Sequence, residues 1–543
     1  MQSVALRYIR GHLASHNKRG FKMNFWTLAG LWRRGHGLIL GAICGICFLT
    51  FFIACLTDLN HPPGTRSIRL LTLGFILFVG LIEYFWAWRG IAIFTLLWPF
   101  QLLIKHLLAR DVSGLFSAIP DLFDWPLASA FTIAIVVRQL RTIPPDPFRI
   151  EDVRLGLIPK FLPALLYIFS MLTVLSALTA YARLIHAPPE WGVQPPDFRR
   201  VLFVYNPLSI LRLIWVGIPI VVNSLLTIAL MRAIFFERKR QDALKWPLIT
   251  FLVGMSISFG IVIYQIVLDF HWEFDDGPPG GPFSNRNVLA PMLILAGVGF
   301  LSLYLFLSAR FLKYILPAIA LIFVLLAIRT GSRNGVFLAA ALPWSCLLIG
   351  ASVRKTVAVT VLTAVIASVL LFWVPLPKSN TVQIESISRS VRAIEDIRAG
   401  NWDVATSYRN HLWAVAWKTA KSYPLLGGGP GTYYFHSSQV PETRIELVRI
   451  HQVPGILAHS TPINLMAEIG IPAALLWILI WVILPAEMMM KHKSFAPPIL
   501  GLFLVGMSNV FDTPWYVSGG MTIAAFWLCL AIYEHKTWPA NHA

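Results

Sequence analysis

The stretch Val288-Leu289-Ala290-Pro291-Met292-Leu293-Ile294-Leu295-Ala296-Gly297-Val298-Gly299-Phe300-Leu301-Ser302-Leu303-Tyr304-Leu305-Phe306-Leu307-Ser308 runs for 21 residues without a charged side chain. At 1.5 Å per residue, a helix of that length covers the roughly 30 Å hydrocarbon core of a bilayer. It also satisfies its own backbone hydrogen bonds where no water can. Similar apolar windows lie near 37–56, 70–88, 91–108, 123–140, 160–183, 208–234, 246–268, 311–328, 335–351, 355–375, 463–486, 496–510 and 518–533. They predict an all-α polytopic membrane protein with about 12 to 14 transmembrane helices. Composition agrees: 57% of the 543 residues are hydrophobic and 13% charged, a balance soluble domains rarely reach. The 20 tryptophans suit anchoring at membrane interfaces.

The formal net charge of +19 would suggest nucleic acid in a soluble protein. Here much of the excess sits in the N-terminus and in loops of one parity, as the positive-inside rule expects, so no nucleic-acid partner is implied. Even-numbered loops carry Arg138, Arg141, Arg149 and Arg154; Arg238, Lys239 and Arg240; Arg310 and Lys313; Arg354 and Lys355; and Lys491 and Lys493. By contrast, residues 270–282 hold Glu273, Asp275 and Asp276 with no Lys or Arg; Arg199 and Arg200 are exceptions in an outer loop. This parity puts Asn285–Asn287, Arg329–Arg333, the polar segment after 375 and Asp512 on the outer side. The first apolar run, behind a long basic N-terminus and with no clear small-residue cleavage site, reads as a signal anchor rather than a cleaved leader. The five cysteines all fall in apolar runs. Cys44-x-x-Cys47 has no second pair, which favours small core residues over a redox or zinc role.

From about Pro375 to Pro462 the chain is polar, an interruption suited to a membrane enzyme that must meet the head group of a lipid-linked substrate. Ile384, Ile387, Val391, Ile394 and Ile397 recur at helical steps, giving a helix lying either on the outer leaflet or on the protein's own outer face. A second helix is predicted from an N-cap at Thr406 or Ser407 to Ser422, stopping before Pro424. Arg409 falls in its first turn, where a cation opposes the positive end of the helix dipole. It therefore serves either an anion site with the free N–H groups or an ion pair with Asp403. Trp413 and Trp417 share one face, for core packing or as a sugar platform. Gly427-Gly428-Gly429-Pro430-Gly431 permits positive φ and close backbone approach, in a simple turn or a phosphate loop that lacks the usual Lys-Ser/Thr. His459, just ahead of an apolar helix starting near Pro462, is either an interfacial hydrogen-bonding residue or a general base. Arg333, in a short outer turn, either snorkels or meets a diphosphate, for which its planar fork is suited.

Four signatures coincide in order: Gly281-Pro282-Phe283-Ser284-Asn285-Arg286-Asn287-Val288-Leu289-Ala290; Thr330-Gly331-Ser332-Arg333; Arg409 to Gly431 with its Pro424-Leu425-Leu426-Gly427 start; and His459-Ser460, nine residues before Gly470. Over about residues 280–480 the chain resembles the O-antigen ligase and O-antigen polymerase superfamily of bacterial envelope glycosyltransferases. Many members carry a further glycine three residues after the last motif, where this chain has Ala473.

The resemblance implies a GT-C-type fold with one large periplasmic loop. It divides the chain into a cytoplasmic basic N-terminus (1–36), a transmembrane region (37–375), a periplasmic catalytic loop (376–462) and C-terminal transmembrane helices with a short tail (463–543). It implies transfer of a glycan from undecaprenyl diphosphate on the periplasmic side of the bacterial inner membrane, with no metal and no cofactor. Carried across, Arg333 and Arg409 grip the diphosphate, and His459 orients or deprotonates the acceptor hydroxyl. Arg286, Asn287, Trp413, Gly429, Gly431 and Ser460 are expected to contact substrate. The acceptor is expected to be lipid A-core, as in a ligase of lipopolysaccharide biosynthesis, or a growing glycan, as in an O-antigen or exopolysaccharide polymerase. Transfer to protein hydroxyls is a third class. A lipid-linked glycan transporter is the competing reading, and it would place charge deep in the spans, where Glu83 and Arg212 are the candidates.

Overall fold

The computed structural model describes residues 39–49, 63–101, 103–104, 125–142, 157–185, 210–236, 243–268, 281–283, 285–307, 311–330, 332–348, 395–396, 398–401, 409–433, 457–491, 496–512 and 520–541. Among them there are helices and turns and no strand. Every predicted apolar window carries helix except 355–375, which lies outside the described residues together with the N-terminal 36, Asp403 and most of the amphipathic stretch 384–397. Among the described residues five helical segments are long and apolar enough to cross a membrane: Phe161–Ala180, Gly217–Ile234, Lys245–Leu268, Arg286–Leu305 and Ile471–Lys491. Six shorter apolar helices accompany them. The chain is an all-α, multi-pass membrane protein.

The outward faces support that conclusion. On the Leu157–Ile185 helix, Phe161, Ile168, Met171, Leu175 and Leu178 are exposed and recur at helical spacing. In water such a stripe would forgo roughly 1.5–3 kcal/mol per side chain, so the stripe belongs against lipid. Inside, one large apolar core joins the helices, and Phe251, Phe526 and Trp527 lie within it. The Ile210–Phe236 and Gly520–Asn541 helices pack together and are pinned by the Thr522 hydroxyl donating to Asn223 Oδ1 at 2.7 Å.

Glu83 is buried within this body. Its carboxylate accepts the N–H groups of Trp88 (3.0 Å) and Ile91 (3.3 Å), and Arg138 Nη1 lies 3.2 Å from Oε1. It thereby caps the Arg89–Leu97 helix across the tight turn that follows Pro63–Phe85. The other deep-charge candidate, Arg212, has a side chain outside the described set.

One expected span is divided. The apolar window 463–486 predicts a single helix, but the chain forms Thr461–Glu468, breaks at Gly470 with φ 106°, and restarts at Ile471. A helix cannot continue through that φ, so the first eight-residue piece is freed to serve the polar segment.

Candidate functional site

The predicted helix of the polar segment is present as Arg409–Ser422, ending where Pro424 required. Arg409 is the first residue described in it; the predicted N-cap at Thr406 or Ser407 lies outside the described residues. Arg286 likewise opens Arg286–Ser302 behind the N-cap Asn285, and Arg333 opens Arg333–Leu348. Arg286 and Arg333 thus each begin a helix with no acid in the first turn, an arrangement that disfavours the helix and favours an anion, and Arg409 stands at the first described position of a third. His459 stands one residue before Ser460, the N-cap of Thr461–Glu468.

Hydrogen bonds gather these helix starts around the end of the Pro497–Phe511 helix. The Ser332 hydroxyl donates to Asn287 Oδ1 at 3.0 Å. Asn334 Nδ2 donates to the Ser508 carbonyl at 3.3 Å. The Thr461 hydroxyl donates to Asn509 Oδ1 at 3.0 Å, and the Thr461 N–H donates to the Asp512 carbonyl at 3.3 Å. All four signatures therefore meet in one place, although Asn287 and His459 are 172 positions apart in the sequence.

Asp512 is the centre of the arrangement. Its Oδ1 lies 3.2 Å from His459 Nδ1, and its Oδ2 lies 3.7 Å from Arg409 Nη2. The side chains of Arg409 and His459 are 25% and 29% exposed, that of Asp512 10%. A carboxylate on Nδ1 fixes the tautomer that carries its N–H there, leaving Nε2 as the basic nitrogen. Asp512 was missed as a site residue in the sequence. The available signal was an isolated acid closing an apolar span on the outer side.

The glycine run and Gly470 prove to be two halves of one clasp. The Gly428 and Gly429 N–H groups donate to the carbonyls of Ala467 and Glu468, both at 2.8 Å, and Ile471 N–H donates to Pro424 at 2.9 Å. A Cβ on Gly427 (φ 63°) would lie 2.3 Å from the Glu468 carbonyl carbon, and one on Gly470 would lie 2.4 Å from the Leu425 oxygen. Only glycine allows this approach. The Gly429 amide is thus bonded to protein in a turn-to-turn contact. Gly431 has φ 75° and is buried.

Beneath the clasp lies a small separate core of Val415, Ala416, Tyr433, Ala458 and Ala467, against which Trp413 and Ile463 pack. Trp413 Nε1 donates to the Ala458 carbonyl at 2.9 Å, tying the ring to the segment just before His459; Trp417 is 49% exposed. Burial, then the neighbouring Glu468, pushes the Tyr433 hydroxyl up, and it stays a donor to the Leu412 carbonyl at 2.6 Å. Ser460 is buried. Arg286 and Asn287 are half-buried, and the Arg333 side chain lies outside the described set. Among the described residues no three His, Cys, Asp or Glu side chains converge as metal ligands.

Residues 317–478 match a family model described as O-antigen ligase. The match takes in Arg333, Arg409, the clasp and His459, but neither Asn287 nor Asp512. No curated protein matches the chain.

Proposed function

We propose that this chain, whose residues 317–478 match a family model described as O-antigen ligase, transfers a glycan from undecaprenyl diphosphate to an acceptor hydroxyl at the periplasmic face of the bacterial inner membrane. The acceptor is lipid A-core, as in an O-antigen ligase. The observation that carries this reading is one carboxylate, Asp512, shared between an imidazole and a guanidinium at the junction of the four motifs.

The acceptor oxygen attacks the anomeric carbon as its proton passes to Nε2 of His459. The bond from that carbon to the diphosphate oxygen breaks, and the electron pair leaves with the diphosphate. Asp512, bonded to Nδ1, stabilises the imidazolium so formed; a positioned base of this kind is worth about 10²–10⁴ in rate. The leaving group is already a stable polyanion, so it needs preorganised cations rather than an acid. Arg409, Arg333 and Arg286, each toward a helix N-terminus, are suited to that task.

The test is reconstitution of the purified protein with an undecaprenyl-diphosphate glycan and EDTA, with or without lipid A-core. Product that requires lipid A-core supports the ligase. A ladder of longer lipid-linked glycans in its absence replaces the ligase with a polymerase. No product from a protein that binds donor sinks both and revives the protein-acceptor and transporter readings.

A further inference from the structure

His459 has φ 50°, and only one other described residue that is not glycine, Trp88, has a positive φ. A non-glycine residue in that region costs about 1–3 kcal/mol and persists only where its surroundings over-determine it. The surroundings here are specific. The Ala458–His459 peptide plane is fixed by the Trp413 indole N–H on the Ala458 carbonyl, at 2.9 Å. Asn464 holds the planes further out on both sides: its Oδ1 accepts the Ala458 N–H at 3.3 Å, and its main-chain N–H donates to the Ser460 carbonyl at 2.9 Å. Asn464 is fully buried, and its Oδ1 is the end that must face the Ala458 donor.

We propose that Trp413 and Asn464 are positioning residues of the transfer site, locking the left-handed backbone at His459 so that its imidazole meets Asp512. The proposal rests on the reading of His459 as the base. The Cβ of a residue turns rigidly with its own φ, so release into an extended conformation would swing the ring away from Asp512 Oδ1. Trp413 also lies four residues after Arg409, one turn along the same helix. One rigid element therefore holds the leaving-group cation and, a turn later, the base's peptide, which sets their separation. The asparagine completes the lock from the opposite side, within the helix His459 precedes.

The experiment uses the full-length protein in liposomes with an undecaprenyl-diphosphate glycan. Trp413→Phe keeps the ring and removes the donor; Asn464→Leu keeps the volume and removes the acceptor. Each is expected to lower kcat by about 10–100-fold, the cost of misplacing a reacting group by about 1 Å, while the donor KM stays within about twofold. In a His459→Ala background, neither is expected to change the residual turnover by more than about twofold, because groups acting through one residue are not additive. Unchanged kcat in the wild-type background overturns the proposal. So do equal losses in both backgrounds, which would mark general support of the fold. Wild-type turnover by His459→Ala alone would instead remove the base reading, and the proposal with it.

Discussion

Glu83 with Arg138 and Asp512 with Arg409 are both carboxylate–guanidinium pairs, and each adjoins a non-glycine residue of positive φ, Trp88 and His459 respectively. The first pair closes at 3.2 Å with side chains 1% and 3% exposed. Its acid sits at a helix N-terminus, where the dipole favours it, and accepts two main-chain N–H groups. The second pair stands at 3.7 Å, partly exposed, and its cation lies at the first described position of a helix, toward the end where the dipole opposes it. At the first pair the charges satisfy the fold. At the second they are held in an arrangement whose favourable partner is an anion that the helix does not supply. Charge burial alone therefore does not mark function in this chain; orientation against the helix dipole separates the two.

The largest expected effect breaks the first pair. Glu83→Gln leaves the Arg138 guanidinium buried without its carboxylate, which costs about 3–5 kcal/mol. Thermal unfolding in detergent should show it as a midpoint lowered by many degrees, while transfer per folded molecule is unchanged. A large loss of specific activity with normal stability would instead give Glu83 a part in transport or catalysis.

At the second pair the expected balance is reversed. Asp512→Asn removes the charge that stabilises the imidazolium and should lower kcat by about 10²–10³-fold. The cost in stability should stay near 1 kcal/mol, since a partly exposed ion pair contributes little. A variant that unfolds but retains its specific activity would make Asp512 a fold residue like Glu83. Arg409→Lys keeps the charge and loses the fork, so a strong loss of transfer, about tenfold or more, is expected with normal membrane insertion. Near-wild-type turnover would remove Arg409 from the site.

Much of this was legible in the sequence, for identifiable reasons. Apolar length fixes membrane helices locally, so the windows are legible in the sequence, as is the stop of the Arg409 helix before Pro424. The cation at a helix start was also a local signal. What could not be read was long-range pairing. Nothing local ties Asp512 to a histidine 53 residues earlier, or Asn287 to Ser332. The glycine run suggested close backbone approach but not that its partner was the Glu468–Gly470 turn. The sequence alone leaves Trp413 open between packing and sugar contact, and the acceptor of its indole N–H lies on a distant segment. The break at Gly470 was hidden by uniform hydrophobicity on both sides, since hydropathy measures composition and not φ.

The smallest expected effect tests the strain at His459 itself. Glycine tolerates positive φ and alanine does not, so His459→Gly should be more stable than His459→Ala although both lack the imidazole. The left-handed penalty for alanine is about 1–2 kcal/mol, and the greater freedom of glycine in the unfolded chain offsets about 0.5–1 kcal/mol of that. The net gain is about 0.5–1 kcal/mol, readable as a small rise in the thermal midpoint of one inactive variant over the other. At Trp88 the parallel comparison isolates a turn with no base to present, in a residue 1% exposed within the large core. There the same Ala-to-Gly gain should appear on top of the much larger loss of the ring, with transfer per folded molecule intact. Equal stability of the two His459 variants would mean that the backbone relaxes once the imidazole is gone. The left-handed conformation would then be held by the His459–Asp512 contact itself rather than by the peptides that flank it.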